Sequence, residues 1–174
     1  MDLQTINALP EDRACQAMLG CCGSNHWATQ MARARPFGSA AALHDAAERV
    51  FDGLAEADWL EAFGAHPKLG DVDSLRMKFA GNRAWSAGEQ AGVAQAGEQT
   101  LAELAEANRR YEKSNGFIFI LCASGLSAQA MLDALRARLQ NDRATEIDNA
   151  GQQQRKITHL RLDKLLTAGS DEIP

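Results

Sequence analysis

The 174-residue chain contains a single tyrosine, and its valines and isoleucines are few beside alanine and leucine. Strand-favouring residues are therefore scarce, and the composition argues for helix. Long apolar runs are absent too: the longest, Gly116 to Leu126, is about half of a membrane span. The net charge is −5 and no Lys/Arg stripe with interleaved aromatics occurs, which argues against nucleic acid as a partner. Acidity leaves room for an anionic small molecule, because one buried arginine outweighs the mean field locally. Cys15, Cys21, Cys22 and Cys122 show neither CxxC nor a zinc-ligand spacing. They read as small buried thiols in a reducing compartment, with no metal expected. Met1-Asp2 opens no signal-peptide pattern, and Asp171-Glu172-Ile173-Pro174 is no peroxisomal address. A cytoplasmic protein away from membranes is expected. GxGxxG, Walker and GxSxG motifs are also lacking.

What is present suits one compact domain over residues 1–174, with 45% hydrophobic residues and a tail frayed after about 167. The pattern predicts an all-α, single-domain bundle of seven to nine helices. The first covers about Pro10 to Gly20, with Pro10 suited to a first turn and Glu11-Asp12 near the positive end. Ser24 caps a second that stops before Pro36. Ser39 caps a third, on which Leu43, Ala47, Val50, Phe51 and Leu54 keep a helical period. Trp59, Leu60 and Phe63 form a short fourth. From Gly64 to Trp85 glycines, Pro67 and aspartates predict an irregular connection with at most a short helical turn. Ser86-Ala-Gly-Glu89 has the form of a capping box. The helix it opens is expected to break near Gly97, and another to run to about Ser114, stopped by Asn115-Gly116. Gly116 to Ala123 fits a buried strand or a buried helical turn equally. Helices over Ser127–Gln140 and about Ala144–Leu166 complete the chain.

Three places could carry chemistry. His66 precedes Pro67 and so sits at a turn with restricted backbone, a suitable mount for an imidazole exchanging protons near neutral pH. A packing or capping histidine fits the same pattern. Ser86, Glu89 and Gln90 open a helix; its N–H groups favour an anion or polar carbonyl, beside acceptors and donors from the side chains. The capping box alone also accounts for Ser86 and Glu89. Arg161 shares a face of the last helix with Ala150, Gln154, Ile157 and Leu165. An arginine on such a stripe needs a partner: a structural ion pair, a snorkelling path to water, or a ligand gripped by its planar fork. Cys21-Cys22 lacks neighbours that would activate a thiol. His26, His44 and His159 lack ligands at local spacing, and Trp27, Trp59 and Trp85 read as core.

Taken in order, five blocks resemble the 2-oxo-4-hydroxy-4-carboxy-5-ureidoimidazoline (OHCU) decarboxylase family. They are Cys22-Gly23-Ser24 with Trp27 and Arg35-Pro36-Phe37; His66-Pro67-x-Leu69-Gly70; Trp85-Ser86-x-x-Glu89-Gln90-x-Gly92; Asn108-Arg109-x-Tyr111 leading to Gly116-Phe117-x-Phe119; and Lys156-Ile157-x-x-Leu160-Arg161-Leu162. Asn115 departs from the aromatic the family usually places before that glycine. The resemblance implies a helical homodimer that needs neither metal nor organic cofactor, and it is to the stand-alone decarboxylase rather than one fused to a transthyretin-like hydrolase. It implies His66 as the proton-transfer residue, with Glu89 and Arg161 as the other catalytic groups. Pro67, Ser86, Glu89, Gln90, Arg161 and the segment Phe119, Ile120, Leu121, Cys122 and Ala123 would line the site for a ureidoimidazoline substrate. Two other readings remain: a non-enzymatic helical interaction module, which would show an exposed apolar patch, and a cofactor-free lyase or isomerase for another ureide.

Overall fold

The computed structural model describes residues 1–68, 72–79 and 90–167. Among them are nine α-helices and no strand: α1 Leu3–Ala8, α2 Glu11–Cys21, α3 Asn25–Arg33, α4 Ala40–Asp52, α5 Glu56–Gly64, α6 Val72–Phe79, α7 Gln90–Asn115, α8 Ala128–Arg138 and α9 Arg143–Thr167. The chain divides into two compact units, Met1–His66 with Asn149 onward, and Pro67–Asp148.

Serine caps set several boundaries, at Ser24 and Ser39 as expected. Ser24 accepts from the Trp27 amide at 3.2 Å, Ser39 from Ala42 at 3.1 Å and Ser127 from Ala130 at 3.1 Å. Each satisfies an amide with no partner inside its helix. Pro10 is itself the N-cap of α2, one position before the first turn.

Four features differ from the sequence expectation. Helix α1 was not expected; Asp2 caps it by accepting from the Thr5 amide at 2.8 Å, and Ile6 buries its apolar side. The connection after Gly64 holds a helix of eight residues, α6. Helix α7 runs unbroken through Gly97, which is exposed and keeps helical backbone. Glycine inside a helix costs about 1 kcal/mol against alanine. That is too little to end a helix flanked by Ala, Gln and Glu, with no proline or cap nearby. Residues 118–123 form neither strand nor helical turn. Asn115-Gly116 does stop α7, with Gly116 at φ +78°, where glycine carries no Cβ penalty.

In the first unit the core gathers around Ile6, Met18, Trp27, Met31, Leu43, Phe51 and Leu162. Side chains of this size stabilise by about 1.5–3 kcal/mol each when fully buried. Trp27 stacks on Phe51 (centroids 5.3 Å apart), Phe51 on Trp59 (5.4 Å) and Trp59 on Phe63 (6.1 Å), linking α3, α4 and α5. Arg35 ties the α1–α2 junction down by donating to the carbonyls of Ile6 at 2.9 Å and Leu9 at 2.6 Å.

The second unit is centred on Leu75, Leu104, Tyr111, Ile120, Leu132 and Leu135. Asn115, which departs from the family pattern, is buried: its Nδ2 donates to the Tyr111 carbonyl at 3.1 Å, and its own carbonyl accepts from Arg143 Nε at 3.0 Å.

Candidate active site

Close approach of two backbones sets up the His66 turn. A Cβ built on Gly23, between α2 and α3, would lie 2.2 Å from the Cβ of Ala65. No side chain fits there, so the Cys22-Gly23-Ser24 turn presses directly on the end of α5. His66 follows, half-buried, with its amide donating to the Phe63 carbonyl at 3.2 Å.

The face of α9 opposite this turn is buried through Ala150, Gln154, Thr158 and Leu162. The stripe read from the sequence lies along one edge of it: Ile157, Arg161 and Leu165 are half-buried. The displacement puts two polar side chains, Gln154 and Thr158, at the centre of an apolar face. Both are fully buried and therefore must be paired. Gln154 Oε1 lies 2.7 Å from His66 Nε2, and Gln154 Nε2 donates to Thr158 Oγ1 at 3.1 Å. The Thr158 hydroxyl reaches the Cys21 carbonyl at 3.5 Å, and Arg161 Nη1 donates to that carbonyl at 3.2 Å. His66 and Arg161, 95 positions apart in sequence, thus end one chain of hydrogen bonds in the first unit.

Of the alternatives for Arg161, the ion pair is not what forms: among the described residues no carboxylate lies within 4.0 Å of its guanidinium, and its recorded acceptor is a neutral carbonyl. Planar donors remain for a ligand. Cys21 and Cys22 lie alongside. Burial pushes both thiols up to about 11, against smaller opposing pulls, from Arg161 on Cys21 and from the Ser24 amide, Thr158 and Arg161 on Cys22. Both are protonated at neutral pH and are poor nucleophiles.

Pro67 and the segment Phe119 to Ala123 belong to the second unit. Arg138 shapes that segment. It stacks on the Phe119 ring, 4.7 Å from the centroid, and its Nη1 donates to the Ile120 carbonyl at 2.7 Å. Fully buried Glu146 holds Arg138 in turn, accepting from its Nε at 2.8 Å, from Asn141 Nδ2 at 2.7 Å and from the Tyr111 hydroxyl. Nothing in the sequence pattern singled out this network. Ser86 and Glu89 lie outside the described residues, as does Trp85, and of Gln90 only the helical backbone is described.

The other histidines meet carboxylates from distant positions. His26 Nδ1 is 3.1 Å from Asp58, His44 Nε2 is 2.9 Å from Asp163 and His159 Nε2 is 2.5 Å from Glu48. Among the described residues no group of three or more His, Cys, Asp or Glu is arranged to hold a metal. A groove of about 290 Å³ between α3 and α4, lined by His26, Gln30 and Arg49 among others, includes none of the expected site residues. No described helix is long and apolar enough to cross a membrane. Among the described residues Leu160 is the exposed large apolar side chain, so the patch an interaction module would need is not seen there.

A family profile described as OHCU decarboxylase matches residues 7–163. Over 147 residues the chain is 40% identical to the uric acid degradation bifunctional protein TTL of Arabidopsis thaliana, covering 84% of this chain and 45% of that protein. The chain thus spans less than half the length of that relative. It is 26% identical over 163 residues to the 2-oxo-4-hydroxy-4-carboxy-5-ureidoimidazoline decarboxylase of Haloferax volcanii, covering 93% and 94% of the two chains. A crystal structure of OHCU decarboxylase in the presence of (S)-allantoin superposes with a TM-score of 0.70 at 34% identity, covering 91% of this chain and 99% of that one.

Proposed function

The chain belongs to the OHCU decarboxylase family, and we propose that it is a carboxy-lyase converting 2-oxo-4-hydroxy-4-carboxy-5-ureidoimidazoline to (S)-allantoin in urate breakdown. The observation that carries this reading is the hydrogen-bonded run from His66 to Arg161 along one face of α9. It joins the His66 imidazole, held through Gln154, and the Arg161 guanidinium, held through the Cys21 carbonyl, in one hydrogen-bonded chain.

The substrate carries a carboxylate and a hydroxyl on one ring carbon beside a carbon–nitrogen double bond. When the bond to the carboxylate breaks, its electron pair moves into that imine. The substrate supplies its own electron sink, so the chemistry needs neither pyridoxal nor thiamine. What remains is to hold the carboxylate out of the ring plane so that it leaves as carbon dioxide, protonate the imine nitrogen that gains the electron pair, take the hydroxyl proton as a carbonyl forms, and deliver a proton to one face of the neighbouring carbon. His66 exchanges the proton at the hydroxyl. Glu89 orients a ureido N–H or shuttles a proton. Arg161 and Gln90 grip ring and ureido carbonyls, with helix-start amides near Ser86 adding fixed dipoles. Pro67 and Phe119 to Ala123 are the other residues proposed to contact the substrate. A positioned acid–base group is worth on the order of 10²–10⁴ in rate, and each oriented donor about 10²–10³.

The reading includes a cytoplasmic homodimer, to be checked by sedimentation; the four cysteines outside any disulfide fit a reducing compartment. The direct test supplies freshly generated urate-oxidation products and follows circular dichroism. Accelerated formation of a single allantoin enantiomer is expected. Racemic product at the uncatalysed rate rejects the proposal.

A further inference from the structure

A backbone carbonyl can only accept a hydrogen bond, and a threonine hydroxyl has one hydrogen to give. The Cys21 carbonyl stands 3.5 Å from Thr158 Oγ1, within reach of that hydrogen. With the hydrogen spent there, Thr158 Oγ1 takes part in its second contact as an acceptor. Its partner, 3.1 Å away, must then be the amide nitrogen of Gln154. This fixes the direction of the Gln154 amide: the oxygen faces His66, 2.7 Å from Nε2. An amide oxygen cannot donate, so the hydrogen in that contact sits on the imidazole. Turning the amide over would set its oxygen against Thr158 Oγ1, acceptor facing acceptor, inside a fully buried pair with no solvent to compensate.

We infer that Gln154 is a positioning residue that holds neutral His66 as the Nε2–H tautomer, so that Nδ1 is the nitrogen that takes up and returns the substrate's proton. The inference rests on the reading of His66 as the proton-transfer group. Its physical content is a direction imposed on one ring by a backbone carbonyl three hydrogen bonds away. When Nδ1 gains a proton, Nε2–H stays on the same oxygen, so the ring changes charge without turning. A neutral acceptor does this without pinning the proton, as a carboxylate in its place would.

The test begins with the full-length protein, its histidines labelled with ¹⁵N and His66 assigned by loss of its signals in His66→Asn. Above the titration of His66, the nitrogen shifts should report Nε2–H and unprotonated Nδ1. Thr158→Val removes the hydroxyl that orients the amide and should mix the tautomers. Gln154→Glu keeps shape and acceptor but adds charge. It should move the acid limb of the kcat/KM profile up by about one pH unit or more, because a nearby carboxylate favours the imidazolium. Should Thr158→Val fold poorly, the wild-type spectrum and the Gln154→Glu profile still decide. An Nδ1–H tautomer in the wild type overturns the inference. So do superposable pH profiles for wild type and Gln154→Glu while His66→Asn is inactive. A fully active His66→Asn alongside an Nε2–H spectrum instead rejects the proton-transfer role of His66 and leaves the tautomer assignment standing.

Discussion

Arg161 Nη1 donates to the backbone carbonyl of Cys21 across 3.2 Å, which ties the middle of α9 to the last residue of α2. One donor is spent on the protein, and the geometry of the fork is fixed by it. Lysine at this position keeps the charge but has a point-like head that cannot satisfy the carbonyl and a planar ligand together. Hydrogen bonds to charged groups are worth about 1.5–3 kcal/mol. Arg161→Lys should therefore weaken (S)-allantoin binding by about 10- to 100-fold in calorimetric titration, with helical content unchanged. Unchanged affinity would mean that Arg161 serves only to tie the two helices.

His66→Asn keeps a side chain of similar size that can still donate to Gln154 Oε1, but it cannot accept and return a proton. Turnover should fall by about 10²–10⁴ while the far-ultraviolet circular dichroism is preserved. An Asn variant with near wild-type kcat would place the proton exchange elsewhere.

The Gly23 contact couples stability to the site. A methyl group there would sit 2.2 Å from the Cβ of Ala65, which has no rotamer with which to retreat. Overpacking of this kind costs about 1–3 kcal/mol. Gly23→Ala should lower the urea midpoint accordingly. It should also reduce kcat, since the shift passes directly to the backbone that mounts His66. Loss of stability with an unaltered kcat would show that the turn moves independently of the imidazole.

Much of this was legible in the sequence because it follows from local chemistry. Ser24, Ser39 and Ser127 mark their helices, Asn115-Gly116 ends α7, and the pairing of His66 with Pro67 marks a turn. What escaped depends on partners distant in sequence. Gln154 is visible in the sequence only as one member of a stripe, and Thr158, four residues on, carries no signal there; their significance appears only when Cys21 is set beside them. The Arg138–Glu146–Tyr111 network gave no periodic signal, since its members come from α7, α8 and α9. The expected break at Gly97 overrated one residue's preference against a long run of good helix formers, and α1 was too short for a pattern to register.

The buried Glu146 offers a stability prediction whose sign can be argued from its partners. Its carboxylate is fully buried and takes hydrogen bonds from Arg138, Asn141 and Tyr111. Removing the cation leaves that group uncompensated, so Arg138→Met should cost about 3–5 kcal/mol in urea denaturation. Replacing both charged partners, as in Arg138→Met with Glu146→Leu, should recover much of the loss, because the desolvation of both groups is then removed together. A double variant as unstable as the single would show that the cost lies in the contacts Arg138 makes to Phe119 and Ile120 rather than in the uncompensated buried charge.

Acid should loosen the α4–α9 seam first. Burial tends to raise the carboxyl of Glu48, but hydrogen bonds from His159 and Arg155 outweigh it and hold Glu48 below its ordinary value of 4.5. Arg155 Nη1 donates to Glu48 at 2.6 Å and Nη2 to Asp52 at 2.8 Å. A carboxylate whose folded value is depressed contributes stability in full above its unfolded value, and that contribution is lost as pH falls through the folded one. The Tm advantage of wild type over Glu48→Gln should therefore be fully present above about pH 5 and shrink steadily below 4.5. Glu48 is partly exposed, so solvent screening limits the effect to a few degrees at most. Melting curves at a series of pH values for the two proteins make the comparison, and an advantage that stayed constant down to pH 3 would show that the seam is held by packing and not by this carboxylate.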